Sequence, residues 1–190
     1  DLPDTEGSLN DAKNVYPVAI GYSPLPSAAE YSTPASENLN SVFAAKFGET
    51  IEVFSGSATE IFKLNLATLD LTSVSKAGGY SGDGVWKFEQ FGNVVLACNG
   101  TEKIQAWTIG SSTAFADVAA AAPAPKDIAI VRDFVFAGSM SVGDEFNKVQ
   151  WSDINDESDW VAGTTSQSDY QIIPDGGNIQ AVTGGEFGLI

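Results

Sequence analysis

The sequence predicts an all-β protein: a β-propeller made of four-stranded antiparallel blades, preceded by an extended N-terminal arm. Three observations predict it. Short β-rich runs bounded by Gly, Asn, Asp and Ser recur from residue 41 onward. The first run of each unit begins near residues 42, 85, 128 and 179, at intervals of 43, 43 and 51. A repeat of roughly 40–50 residues holding about four strands is the period of a propeller blade. No stretch shows the apolar periodicity of a long amphipathic helix. A β-sandwich, whose strands recur every ~8–12 residues, is the competing architecture; the aligned repeat favours the propeller.

Residues 1–40 read differently from the rest. Five of the eight prolines fall there, at 3, 17, 24, 26 and 34, and prolines at that density oppose helices and interior strands. The segment is expected to be an arm lying along another surface, with Val15, Tyr16, Tyr22 and Leu25 as anchors. Its aromatic and aliphatic content argues against the alternative, a disordered tail.

Residues 41–190 are expected to be a partial propeller, with blades near 41–84, 85–126 and 127–177 and the start of another at 178–190. In the first unit, strands are expected at Val42–Lys46, Thr50–Phe54, Ile61–Leu64 and Leu69–Thr72, with a turn at Phe47-Gly48-Glu49. The second unit starts at Val85–Phe88 and contains the clearest hairpin of the chain, Phe91 to Trp107. There Val94–Ala97 is apolar, Asn99-Gly100 suits a turn, and Ile104–Ile109 returns. Ala114–Val118 is its fourth strand, and Pro123 and Pro125 stop any helix in the alanine run before them. The third unit reads Ile128–Val131, Phe134–Ala137, a long turn over 138–147, and Val149–Trp151, with Trp160-Val161 in the place of Phe115. Then Ile179–Val182 opens the next unit and Phe187–Ile190 continues it. Three and a half blades do not close a ring, since propellers have about four to eight. An open end exposes unpaired strand edges, so this chain is expected to be part of a longer protein whose further residues complete the ring, with closure by neighbouring subunits as the lesser alternative.

Composition excludes several functions. There are 9 basic and 25 acidic residues, a formal net charge of -16, which is the wrong sign for gripping nucleic acid or anionic lipid. Histidine is absent, so the commonest general base and imidazole ligand are missing. Cys98 is the single cysteine and lies in an apolar run, where it reads as a small buried hydrophobe rather than a reactive thiol. No apolar run is long enough for a membrane-spanning helix.

The remaining candidates each have a plain explanation. The acidic run Ser152–Asp159 offers hard oxygens at alternate positions, as a calcium loop would. It lacks the Gly and Glu of that loop, and turn capping explains it better. Ser81-Gly82-Asp83-Gly84-Val85-Trp86 is close to the Asp-box turn of sialidase-like propellers, but its Gly is displaced; it reads as an inter-blade turn. Trp107 and Trp151 are taken to hold matching repeat positions and to pack in the core rather than stack on sugars. No catalytic, cofactor-binding or metal-binding residue is therefore expected, and the chain does not read as an enzyme.

Several stretches resemble tail proteins of short-tailed bacteriophages: Phe91–Gly100, Ser112–Asp117, Val131–Val135, and Val149–Ser152 with Trp160. Lys13–Pro17 and Gly21–Pro24 in the arm are similar as well. These are the nozzle or hub proteins, also called tail tubular or head-completion (stabilisation) proteins. The resemblance implies a structural virion protein with a β-propeller body, assembled in the host cytoplasm into a six-fold homo-oligomeric ring. That ring would line the DNA exit channel, touch portal and adaptor proteins and tail fibres, and pass the genome without sequence-specific binding or membrane insertion. Acidic walls that repel phosphate would suit such a conduit, although acidity also serves solubility. The alternative is an extracellular carbohydrate-binding or glycan-degrading β-propeller.

Overall fold

The computed structural model describes residues 13–27, 33–82, 84–141, 143 and 145–187. It divides into two units, Asp1–Tyr31 and Ser32–Ile190. In the first unit, β1 (Val15–Val18) and β2 (Gly21–Pro24) form an antiparallel hairpin, with Pro17 opposite Tyr22 and Pro24 opposite Val15. The expected extended arm thus pairs with itself. A two-stranded ribbon has only edge strands, where a missing N–H is tolerated. Tyr16, Tyr22 and Leu25 remain exposed.

The boundary expected at 40/41 falls nearer 31/32, because residues 33–40 are tied to the second unit. Thr33 N donates to the Asp70 carboxylate at 3.1 Å and Asn40 N to Gly56 O at 2.9 Å. Glu37 accepts from the Ser57 and Thr59 hydroxyls, which hold its carboxyl below the usual range.

The second unit is all-β and consists of three four-stranded antiparallel sheets in a propeller-like repeat. The first sheet is β3 (Ser41–Phe47), β4 (Thr50–Gly56), β5 (Ile61–Leu64) and β6 (Leu71–Ser73). The second is β7 (Lys87–Phe91), β8 (Val94–Cys98), β9 (Gln105–Thr108) and β10 (Ala116–Asp117). The third is β11 (Pro125–Val131), β12 (Phe134–Met140), β13 (Glu145–Trp151) and β14 (Asp169–Ile172). Every strand pairs with its sequence neighbour, so each sheet is a meander.

The β3–β4 and β7–β8 hairpins turn on Gly48 and Gly92, both at φ 59°. A side chain is strained in that region, and glycine is not. The equivalent turn between β11 and β12 uses Arg132 at φ 52°.

Alternation along the strands decides which face meets which neighbour. In β8, Val95 and Ala97 face the first sheet and pack with Phe54, Ile61, Phe88 and Trp107. Leu96 and Cys98 face the other way and pack with Ile128, Val135, Ala137 and Trp160. All five β8 residues are buried, so the second sheet is a central layer, which is why its sequence reads as a continuous apolar run. Aromatic edges fill the first seam: Phe54 meets Trp107 and Phe115 in T-shaped contacts, both at 5.3 Å between centroids. Gly56 is required there, because a Cβ would come within 2.3 Å of the Trp86 ring.

Several element expectations shift for identifiable reasons. Leu69 is a turn residue at φ 62° rather than a strand start. Asn65 organises that turn by accepting from Ala67 N through its side chain and from Leu69 N through its carbonyl. The long turn expected over 138–147 is shorter, since β12 runs to Met140 and β13 starts at Glu145. A register shift between Gly138 and Met140, with Ser139 at φ 60°, hides the alternation. Pro125 begins β11 instead of merely stopping a helix, and the third sheet therefore starts before the boundary expected at 127. A first strand position tolerates proline. The fourth strand of the third sheet is Asp169–Ile172, not Trp160-Val161. Trp160 fills the second seam from a loop, with its indole N–H donated to Glu157 O at 2.7 Å.

The segment expected to open another blade at 178–190 holds no named strand among its described residues. It is tied to the third sheet. Gly185 forms a parallel bridge to Val131, its N–H donating to Ile130 O and its carbonyl accepting from Arg132 N, each at 3.0 Å. Val182 and Ile179 are buried against Ala129 and Val149 of the third sheet. Residues 188–190 lie outside the described residues.

Candidate assembly surfaces

The chemical candidates resolve into architecture. In the acidic run, the carboxylates bind the chain's own turns. Asp156 accepts from Ser158 N at 2.8 Å and from its hydroxyl, Asp159 from Val161 N at 3.0 Å, and Asp153 from Gln167 N at 2.7 Å. These bonds hold Asp156 below the ordinary carboxylate range. Among the described residues no group of three His, Cys, Asp or Glu is placed to hold a metal ion. Cys98 is fully buried, and desolvation pushes its thiol well up. Asn99 caps its turn, accepting from Thr101 N and Glu102 N and donating to Ser81 O. Asp83, the acid of the Asp-box-like stretch, lies outside the described residues.

Trp107 and Trp151 do not match. Trp107 stands opposite Val95, whereas Trp151 stands opposite Phe136. The residue that bonds Val135, the counterpart of Val95, is Ser152. One residue of offset puts the two indoles on opposite faces. Trp107 is buried in the first seam, and Trp151 is half-buried on the far face of the third sheet, stacked on Phe136 at 5.5 Å.

Two charge clusters escaped the sequence reading. In the first seam, buried Glu52 accepts from Lys63 Nζ at 2.7 Å and from Trp107 Nε1 at 2.6 Å. The available signal was Glu52 alternating with Phe54 on the buried side of β4. The second cluster joins the link after the first sheet to the outer strands of the second. Lys76 Nζ lies 2.8 Å from Glu102 and 3.3 Å from Asp117, and Asp117 also accepts from Gln105. Burial opposes charge on both Lys76 and Glu102, but the bonds to Glu102 and Asp117 outweigh it and raise Lys76, and those from Lys76 and Ser81 outweigh it and lower Glu102. The Gln105 bond, ahead of Lys76, lowers Asp117. Burial pushes the neighbouring Tyr80 hydroxyl up to about 12.

Five of the nine basic residues pair with carboxylates of the same chain. Besides Lys63 and Lys76, Lys87 lies near Glu89 and Asp127, Lys148 near Glu145, and Arg132 near Glu186. Glu49, Asp133, Asp169 and Asp175 are exposed. Lys46 and Lys126 are exposed as well, so the surface is acidic on balance, in keeping with the net charge of -16.

The two ends of the stack differ. Segment 179–187 lies on the third sheet, whereas the outward face of the first sheet carries exposed apolar residues. Val42 is 75% exposed and Ile51 49%. Leu39, Val42, Val53, Leu64 and Leu71 line an open groove of about 510 Å³ on that face.

No family model and no curated protein matches the chain. Similar solved structures include two computationally designed proteins. Ika4 is 16% identical, with a TM-score of 0.46 over 84% of this chain and 87% of the designed one. Ika8 is 15% identical, with a TM-score of 0.45 over 87% of this chain and 46% of the designed one, so the chain spans less than half of Ika8.

Proposed function

We propose that this protein is a non-enzymatic structural component of a bacteriophage tail, a subunit of the nozzle or hub ring that surrounds the DNA exit channel of a short-tailed phage. The ring is a six-fold homo-oligomer between portal or adaptor proteins and the distal tail with its fibres. It is assembled in the host cytoplasm and resides in the virion. The observation that carries this reading is the charge distribution. The cations named above are neutralised by carboxylates of the same chain, within a net charge of -16. A surface of this net sign repels phosphates on balance, so a duplex slides past it rather than binding. The sequence resemblance supports the same reading.

Electron microscopy of the purified protein, or of particles containing it, tests the proposal. A six-fold ring with a central channel is expected, together with no retention of duplex DNA at low salt. A protein that stays monomeric and binds or cleaves glycans would overturn it in favour of the carbohydrate-active alternative.

A further inference from the structure

Counted from the closing pairs of their hairpins, Phe47–Thr50, Phe91–Val94 and Val131–Phe134, the first two strands of the three sheets align position by position. The third sheet departs from the other two at three places. Asp127 stands where they have Phe43 and Lys87, Arg132 where they have Gly48 and Gly92, and Gly138 where they have Phe54 and Cys98. Each departure is unfavourable within its own sheet. Aspartate is a poor strand former, arginine at φ 52° is strained, and glycine inside β12 gives up a packing side chain.

All three meet segment 179–187. Asp127 Oδ2 accepts from Val182 N at 3.0 Å, while its Oδ1 accepts from Ile128 N and lies 3.7 Å from Lys87 Nζ of the second sheet. Gly138 leaves the room that two buried side chains take: a Cβ there would lie 2.7 Å from Val182 Cγ1 and 3.2 Å from Ile179 Cγ2. Arg132 donates through its backbone N to Gly185 O at 3.0 Å and through Nε to Glu186 O at 3.1 Å. Its ion pair with the Glu186 carboxylate is open to water and adds little. The segment is shaped in return, since a Cβ on Gly184 would collide with Ile130 O. Where Phe54 and Cys98 fill the first two seams with their own side chains, the third sheet is hollowed and fitted with polar clips.

We propose that Asp127, Arg132 and Gly138 form a seat for segment 179–187, which the third sheet holds as a strap that unfastens without the sheet itself unfolding. Among the described residues the segment meets β11 through one bridge, at Gly185, rather than through a ladder. Few bonds therefore separate the fastened strap from an open one, and such segments open below the global unfolding energy. Opening bares Ala129 and Val149, which the strap covers. The inference does not depend on the ring-subunit reading.

Amide hydrogen exchange of the full chain, read residue by residue by NMR, tests it. The reporters are the Ile179 and Gly185 amides, bonded to Phe146 O and Ile130 O, so a variant that alters only its own contact leaves them alone. Asp127→Ala should speed their exchange about tenfold, the loss expected for one buried hydrogen bond. Gly138→Ala and Arg132→Gly should speed it as well, the first by displacing Val182 and the second by dropping the guanidinium bond. Asp127→Asn keeps an oxygen for Val182 N and should retain most of the protection. The β12 amides should exchange at the wild-type rate throughout. Unchanged reporters in any of the three weakening variants, an Asp127→Asn chain as fast as Asp127→Ala, or equal loss of protection across β12 would each overturn the proposal.

Discussion

Replacing Glu52 with alanine removes the acceptor of two groups at once. Glu52 is 6% exposed and accepts from both Lys63 Nζ and Trp107 Nε1. The Lys63 side chain is 34% exposed, so water recovers part of its solvation. Its share therefore falls well below the ~3–5 kcal/mol lost when a fully buried pair is broken, to about 1 kcal/mol. The Trp107 indole is buried and has no such recourse. An orphaned N–H there costs ~1–3 kcal/mol. Glu52→Ala should thus destabilise by about 3 kcal/mol, or roughly 6–12 °C in Tm for a domain of this size. Glu52→Gln keeps an oxygen for the indole and loses only the charge, so it should cost about 1 kcal/mol. Thermal melts followed by circular dichroism and tryptophan fluorescence measure both. If the two variants melt together, the indole bond is not what matters. If alanine lowers Tm by under ~2 °C, the cluster is not a stability element at all. The next seam provides an internal reference, because position 52 corresponds to Leu96, which is fully buried among apolar neighbours.

Three further outcomes follow from the same geometry. Gly56→Ala drives a Cβ into the rigid Trp86 ring and should cost ~1–3 kcal/mol in urea unfolding; an unchanged midpoint would contradict the packing described for the first seam. Glu102 and Asp117 have lowered pKa values in the folded chain. Their contribution is present above the unfolded carboxylate range near pH ~4 and is lost as pH falls through the folded values; Lys76→Met should flatten that acid limb in pH-dependent melts, and an unaltered limb would assign it to other carboxylates. Cys98 should resist a thiol reagent in the native state and react fully in denaturant, so rapid native labelling would show that the central sheet opens.

The strands and short turns were largely legible because their causes are local. Val94–Cys98 is β-branched and apolar, and Gly48 and Gly92 accept the left-handed turn conformation. Legibility failed where a distant contact or an irregularity took over. Ser139 adopts a positive φ within a bulge, so the end of β12 and the start of β13 read as part of one long turn. Trp160 is aromatic and buried, yet it reaches its seam from a loop. The proline-rich arm showed no pairing partner in sequence, and its partner proved to be itself. Of the charged surface, the acidic balance was readable. The pairing of Lys76 with Glu102 and Asp117, 26 and 41 residues away, was not.

Hydrophobic alternation and turn chemistry act over a few residues, and the 43-residue interval recorded how often the same four-strand unit was written. Composition likewise settled the sign of the surface and the absence of histidine chemistry. Which face of a strand meets which neighbour depends on register, and a shift of one residue reverses it. That is why Trp107 fills a seam while Trp151 lies on the outer face of the third sheet. Val42 and Ile51 hold the same register as Trp86 and Val95, which are buried in the second sheet, and are exposed because among the described residues no sheet packs on that face of the first. Residues beyond local reach decide burial, and those residues come together only when the sheets stack.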